Sequence, residues 1–130
     1  MVGTILRLSL PQNQAVTLAL VRGTGRTTCV ELSVQDDDAQ QASARLTATD
    51  LHLLWGDLSL AVQLLPSHHE SRAARLQRIE LVDGQSVVTI ERGTGQVALA
   101  LDGVRVVLGE EQIAQLLAAC RQGYELLAGD

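Results

Sequence analysis

The tetrapeptide Arg22-Gly23-Thr24-Gly25 recurs as Arg92-Gly93-Thr94-Gly95, seventy residues later. An alternating apolar run leads into each copy, and another leads out. Val16, Leu18 and Leu20 share one phase before the first copy; Val88 and Ile90 hold the matching phase before the second. Successive side chains of a strand point to opposite faces, so this alternation marks half-buried strands. The glycines of the phrase supply the positive φ that tight hairpins need. Farther on, each copy is followed by a stretch with apolar residues at helical spacing. The pattern predicts a strand-rich unit that ends in a helix, written twice.

Working outward, Ile5–Leu10 alternates with Leu6, Leu8 and Leu10 on one face and Ile5, Arg7 and Ser9 on the other. Pro11-Gln12-Asn13-Gln14 turns the chain. After the first phrase, Thr28, Val30, Leu32 and Val34 form the buried face of a third strand. Residues 35–43, with Asp36-Asp37-Asp38, read as a long polar loop, and Ala44–Thr47 as a short fourth strand. Thr49 or Asp50 is the expected N-cap of the helix that follows. Its periodic positions are Leu51, Leu54, Trp55, Leu58, Ala61, Val62 and Leu65. Leu53, Leu60 and Leu64 spread apolar surface to a second side, and a helix greasy on two sides needs two partners.

In the second unit, Pro66–Ser71 is a linker and Leu76–Val82 a strand. Asp83-Gly84 and Asp102-Gly103 both carry the two-residue hairpin signal. Val97, Leu99 and Leu101, then Val104, Val106 and Leu108, complete four strands. Glu110 and Glu111 open the last helix, where carboxylates suit the positive end of the dipole. Ile113, Leu116, Leu117, Cys120 and Tyr124 are its expected apolar stripe, and Gly123 its expected end. Short hairpins join antiparallel strands, so the class is α+β: two ββββα repeats forming antiparallel sheets packed on two helices. The expected organisation is one domain, with repeat one over about 1–66 and repeat two over about 72–130.

Four strands and a helix, repeated, resemble the Whirly and PUR-type fold of single-stranded nucleic-acid binders. The resemblance covers nearly the whole chain and rests on element order and on the duplicated Arg-Gly-Thr-Gly turns. It implies a Whirly-like packing of sheets and helices, and binding of single strands across sheet faces and edges.

Composition limits what such a fold does here. All ten basic residues are arginine, and the formal net charge is −5, which opposes nonspecific attraction to nucleic acid or an anionic membrane. There is no Phe, one Trp and one Tyr, so the core must be aliphatic and stacking platforms are few. No run of about twenty apolar residues occurs, so no spanning helix is expected. The residues from Met1 to Arg7 lack a basic stretch followed by an apolar one, so no secretory signal is expected either. Cys29 and Cys120 are expected to be reduced thiols of a cytosolic protein.

Arg22 and Arg92 stand at equivalent hairpins, with Arg26 near the first; together with exposed glycine amides they are candidate phosphate or single-strand contacts. Neither Gly-x-Gly pair opens a helix, which excludes dinucleotide and Walker loops. Arg72, Arg75 and Arg78 are spaced by three, a helical rather than strand interval, and acidic neighbours such as Glu70 and Glu80 can pair with them. His68 and His69 are adjacent on extended chain and point opposite ways, so His68-His69-Glu70 makes a poor metal site. The aspartate run lacks the spacing of a calcium loop. No nucleophile elbow, zinc-protease signature or carboxylate pair appears. No cofactor, no metal and no enzymatic activity are expected. The leading expectation is a small cytoplasmic binding or scaffold protein that forms a homo-oligomer or binds a protein partner through Leu53, Leu60 and Leu64. The alternative is single-stranded DNA or RNA binding through Arg22, Arg26 and Arg92.

Overall fold

The structure, a computed structural model, describes residues 2–22, 28–64, 76–82, 86–92 and 96–128. The first unit is β1 (Val2–Ser9), β2 (Ala15–Arg22), β3 (Thr28–Gln35), β4 (Gln41–Leu46) and α1 (Ala48–Leu64). The second is β5 (Leu76–Glu80), β6 (Val87–Arg92), β7 (Gln96–Leu101), β8 (Val104–Gly109) and α2 (Glu110–Ala128). Each unit forms one four-stranded antiparallel meander in sequence order, so the fold is α+β with a tandem ββββα layout. Arg22 is the last residue of the second strand in the first sheet, and Arg92 is the last residue of the second strand in the other. The repeated phrase therefore begins at the same topological point in both halves. Its glycines, like Asp83-Gly84, the linker 66–71, Arg72 and Arg75, lie outside the described residues.

Alternation decides which face is buried. Val16, Leu18, Val30, Leu32 and Val34 turn inward from the first sheet, and Val88, Ile90, Val97, Leu99, Leu101, Val106 and Leu108 from the second. These residues join Leu51, Leu54, Leu58, Ile113, Leu116 and Cys120 in a hydrophobic core that draws on both units. Asp102 and Gly103 have φ of 50° and 89°, the doubly left-handed geometry of a type I′ hairpin. The Asp102 carboxylate also accepts the Val87 N–H at 2.9 Å, tying the hairpin to β6.

Several local expectations are corrected. The strict alternation of β1 is interrupted by a register shift between Thr4 and Leu6. The extra residue, Ile5, and its neighbour Leu6 are both partly buried against the core. A bulge makes this possible because it puts two residues opposite one. The acidic loop is shorter than expected: β3 runs to Gln35 and β4 begins at Gln41. Asp36 closes the hairpin, its Oδ1 accepting the N–H groups of Asp38 at 3.0 Å and Gln40 at 2.9 Å. The N-cap of α1 is neither Thr49 nor Asp50 but Thr47, whose hydroxyl accepts the Asp50 N–H at 3.2 Å. The Asp50 carboxylate returns to the Thr47 N–H at 2.9 Å, completing a capping box.

The helices pack across the two units. A helix resting only on its own meander would leave two separate units. Instead α2 lies against β1, β2 and β3 of the first sheet as well as β8, and α1 lies against β5 and β6 of the second as well as β4. The two helices also pack on each other, and the sheets meet where β3 touches β8 and β4 touches β7. Among the described residues, two polar ties join the halves: Asp50 Oδ1 accepts the Val82 N–H at 3.0 Å, and Gln14 Oε1 accepts the Val107 N–H at 3.2 Å.

Gly123 does not end α2, which continues to Ala128. It is buried where α2 crosses β1, β3 and α1; a Cβ there would lie 3.2 Å from Val30 Cγ2, 3.4 Å from Leu51 Cδ1 and 3.6 Å from Ile5 Cδ1. Glycine stands at this position because the approach leaves little room for a side chain.

Candidate functional site

The crossing brings the first turns of α1 beside the last turns of α2, and a cleft of about 340 Å³ opens between them. It is lined by Leu51, His52 and Trp55 from α1 and by Cys120, Arg121 and Tyr124 from α2. Leu51 and Cys120 are fully buried, whereas Trp55 is 40% and Tyr124 42% exposed. The only Trp and the only Tyr of the chain therefore face each other across one opening. The rings of His52 and Tyr124 lie 6.1 Å apart at 45°, which holds part of the wall in place. Arg121 Nε is 3.4 Å from Glu125 Oε1, one turn along the same exposed helix face.

Trp55 and Tyr124 follow Leu51 and Cys120 by four residues, so periodicity assigned them to the core, and the structure places them at its edge. The buried arc of α1 is set by Leu51, Leu54, Leu58 and Ala61. At ~100° per residue Trp55 falls roughly 80° from the centre of that arc, on the side facing α2. The same geometry places Leu53 and Leu60 roughly 120–140° away on the opposite flank. They are 46% and 39% exposed. Leu64 ends α1, and its side chain lies outside the described residues. Thus α1 carries two different exposed surfaces: a ring-lined cleft and an aliphatic flank. The cleft was missed in sequence because nothing in the spacing separates a flank residue from a core residue. The one available signal was that both aromatic residues fall on helices in a chain that otherwise builds its core without them.

The other candidates do not converge. The backbones of Arg22 and Arg92 end β2 and β6, while their side chains and all of Arg26 lie outside the described residues. Arg78 is exposed on β5, 3.9 Å from Glu80. His68, His69 and Glu70 lie outside the described residues. Among the described residues no group of three or more His, Cys, Asp or Glu is placed to hold a metal ion. Among them, too, no helix is long and apolar enough to cross a membrane.

Both cysteines are free thiols, Cys29 half-buried and Cys120 buried. Burial pushes the Cys120 thiol up from 9.0 to about 12, and it also raises the carboxyl of the half-buried Asp57. The thiolate is the reactive form, so Cys120 is inert as a nucleophile at neutral pH although it floors the cleft. The sign follows from linkage: the folded state favours the protonated thiol, so the stability tied to it is complete below about pH 9.0 and is lost as pH rises toward about 12. At pH 8 a disulfide reagent should label Cys120 at least ~100-fold more slowly in the native protein than in denaturant, as followed by mass spectrometry of the labelled peptide. Comparable rates in the two conditions would show that the thiol is not shielded.

No protein-family model matches this sequence, and no curated protein matches it.

Proposed function

We propose that this chain is a small non-enzymatic binding or scaffold protein that self-associates, or binds a protein partner, through the surface of its helices. The observation that supports this reading is the aliphatic flank of α1. Leu53 and Leu60 stand seven residues apart, both more than a third exposed, on a helix whose opposite side is already committed to the core. Large apolar side chains that recur exposed on one helix flank are costly to leave in water and commonly mark an interface. The tandem ββββα layout gives the flank a rigid base, and its likeness to the Whirly and PUR-type fold adds a precedent in architecture. That likeness also underlies the alternative, a single strand of DNA or RNA held by Arg22, Arg26 and Arg92. It is the weaker reading, because the formal net charge is −5 and Trp55 and Tyr124, the rings able to stack on bases, lie between the helices.

Sedimentation velocity over a hundredfold concentration range tests the proposal. A self-associating wild type is expected to shift from dimer to monomer on dilution. The pair Leu53→Glu with Leu60→Glu is expected to weaken association at least tenfold while leaving the circular dichroism spectrum unchanged. A particle that stays monomeric at the highest concentration, with no protein partner recovered by the wild type and lost by the double variant, would remove the proposal.

A further inference from the structure

The cleft between α1 and α2 has a chemical character distinct from the aliphatic flank. Its walls are the rings of Trp55, Tyr124 and His52, and its floor is Leu51 and Cys120. A core built without any Phe leaves its one Trp and one Tyr at the mouth of this opening, half in water. As hydrophobic payload the two rings would bury more area in the core; at the cleft they offer flat apolar faces. The polar atoms in the lining are strongly biased. Trp55 Nε1–H and the Arg121 guanidinium only donate hydrogen bonds, Tyr124 and His52 can donate, and among the described residues no side-chain carboxylate or amide lines the cleft. Arg121 uses Nε toward Glu125, and its terminal nitrogens carry four further N–H donors. Such a site matches a group with a flat apolar body and an acceptor-rich, negatively charged end. The volume of about 340 Å³ holds one such group and lies near the lower limit of roughly 300–1,000 Å³ for small-molecule sites.

We infer that this cleft is a binding site for a flat aromatic acid, with the ring against Trp55 and Tyr124 and a carboxylate or phosphate on Arg121. A cationic ligand is disfavoured because the lining holds a guanidinium, and the neighbouring carboxylate, Glu125, is already paired with it. A non-planar acid forfeits the stacking contact. The inference does not depend on self-association, since Leu53 and Leu60 lie on the other flank of α1.

The single Trp provides one indole N–H resonance, so binding can be followed at Trp55 itself by nuclear magnetic resonance, with calorimetry for affinity. Four probes decide the chemistry: 2-naphthoate, 2-naphthyl phosphate, 2-naphthylmethylammonium and cyclohexanecarboxylate. One or both naphthyl acids are expected to shift the Trp55 resonance saturably at one per chain, and the tighter one identifies the preferred anion. The flat cation and the non-planar acid are expected to bind at least tenfold more weakly. Arg121→Gln should weaken the naphthyl acids at least tenfold, and Leu53→Glu with Leu60→Glu should leave their binding unchanged. The inference is overturned if neither naphthyl acid saturates at millimolar concentration, if the cation binds as well as the acids, or if Arg121→Gln binds them as the wild type does. Should Arg121→Gln fail to fold, the four-probe comparison on the wild type still decides.

Discussion

Asp50→Ala is expected to lower stability by about 3 kcal/mol, the largest loss of any single substitution considered for this chain. Asp50 is completely buried, and both of its carboxylate oxygens are engaged. One accepts the Thr47 N–H at 2.9 Å and the Thr47 hydroxyl at 3.1 Å; the other accepts the Val82 N–H at 3.0 Å. Alanine would take the charged acceptor from two backbone N–H groups, and a hydrogen bond to a charged group is worth about 1.5–3 kcal/mol. It would also undo the capping box at the start of α1. In a chain of this length the loss corresponds to a fall of roughly 10 °C in Tm. Asp50→Asn keeps one acceptor oxygen and should recover about half of the loss. Urea unfolding of the two variants against wild type measures both values. Amide exchange adds a structural readout: because Asp50 ties α1 to the strand end after β5, Val82 should lose protection in Asp50→Ala before the rest of the second sheet does. Equal midpoints for wild type and Asp50→Ala would show that the buried carboxylate does not join the two units.

Gly123→Val is expected to cost about 2–3 kcal/mol, with a fall of roughly 6–10 °C in Tm. The Cβ alone would stand 3.2 Å from Val30 Cγ2, and both Val30 and Leu51 are fully buried. Val30 sits in the middle of a four-stranded ladder and has a stiff, β-branched side chain, so it cannot swing aside. Two further methyl groups on residue 123 would push α2 off both the first sheet and α1. Gly123→Ala separates space from conformation. Alanine gains about 1 kcal/mol in helix propensity, and the tight Cβ contact offsets it, so the net change should lie within about 1 kcal/mol of zero. Thermal unfolding of the pair tests this ordering. If valine proved as harmless as alanine, the close crossing of α2 over β3 would be wrong.

These two positions show what was legible in the sequence and what was not. The eight strands and two helices were readable because each carries its own period, two residues for strands and about 3.6 for helices. The placing of Arg22 and Arg92 at the end of the second strand in the two sheets followed from phase. The Asp102-Gly103 hairpin followed from turn chemistry. Gly123, by contrast, looks like a helix stop because local propensity disfavours glycine inside helices. It stands mid-helix because Val30 and Leu51, distant in sequence, occupy the space a side chain would need. Asp50 looks like an ordinary cap residue, and nothing near it in sequence announces a bond to Val82.

The candidate site was less legible than the fold. Spacing placed Trp55 and Tyr124 on apolar stripes and could not say which edge of a stripe is covered. Leu53 and Leu60 were separable from the core because their phase is opposite to that of Leu51, Leu54 and Leu58.

Among the described residues, the sequence by itself determined the type and order of the strands and the two α-helices, the inward face of the strands whose alternation is clear, and the aliphatic character of the core. Those are set by nearest-neighbour stereochemistry and by hydrophobic periodicity, both of which act within a few residues. Only the tertiary structure decided that each helix rests on the other unit's sheet, that a buried aspartate joins the halves, and that the two aromatic rings meet across a cleft. These depend on which surfaces far apart in the chain bury each other, and a local pattern leaves that choice open.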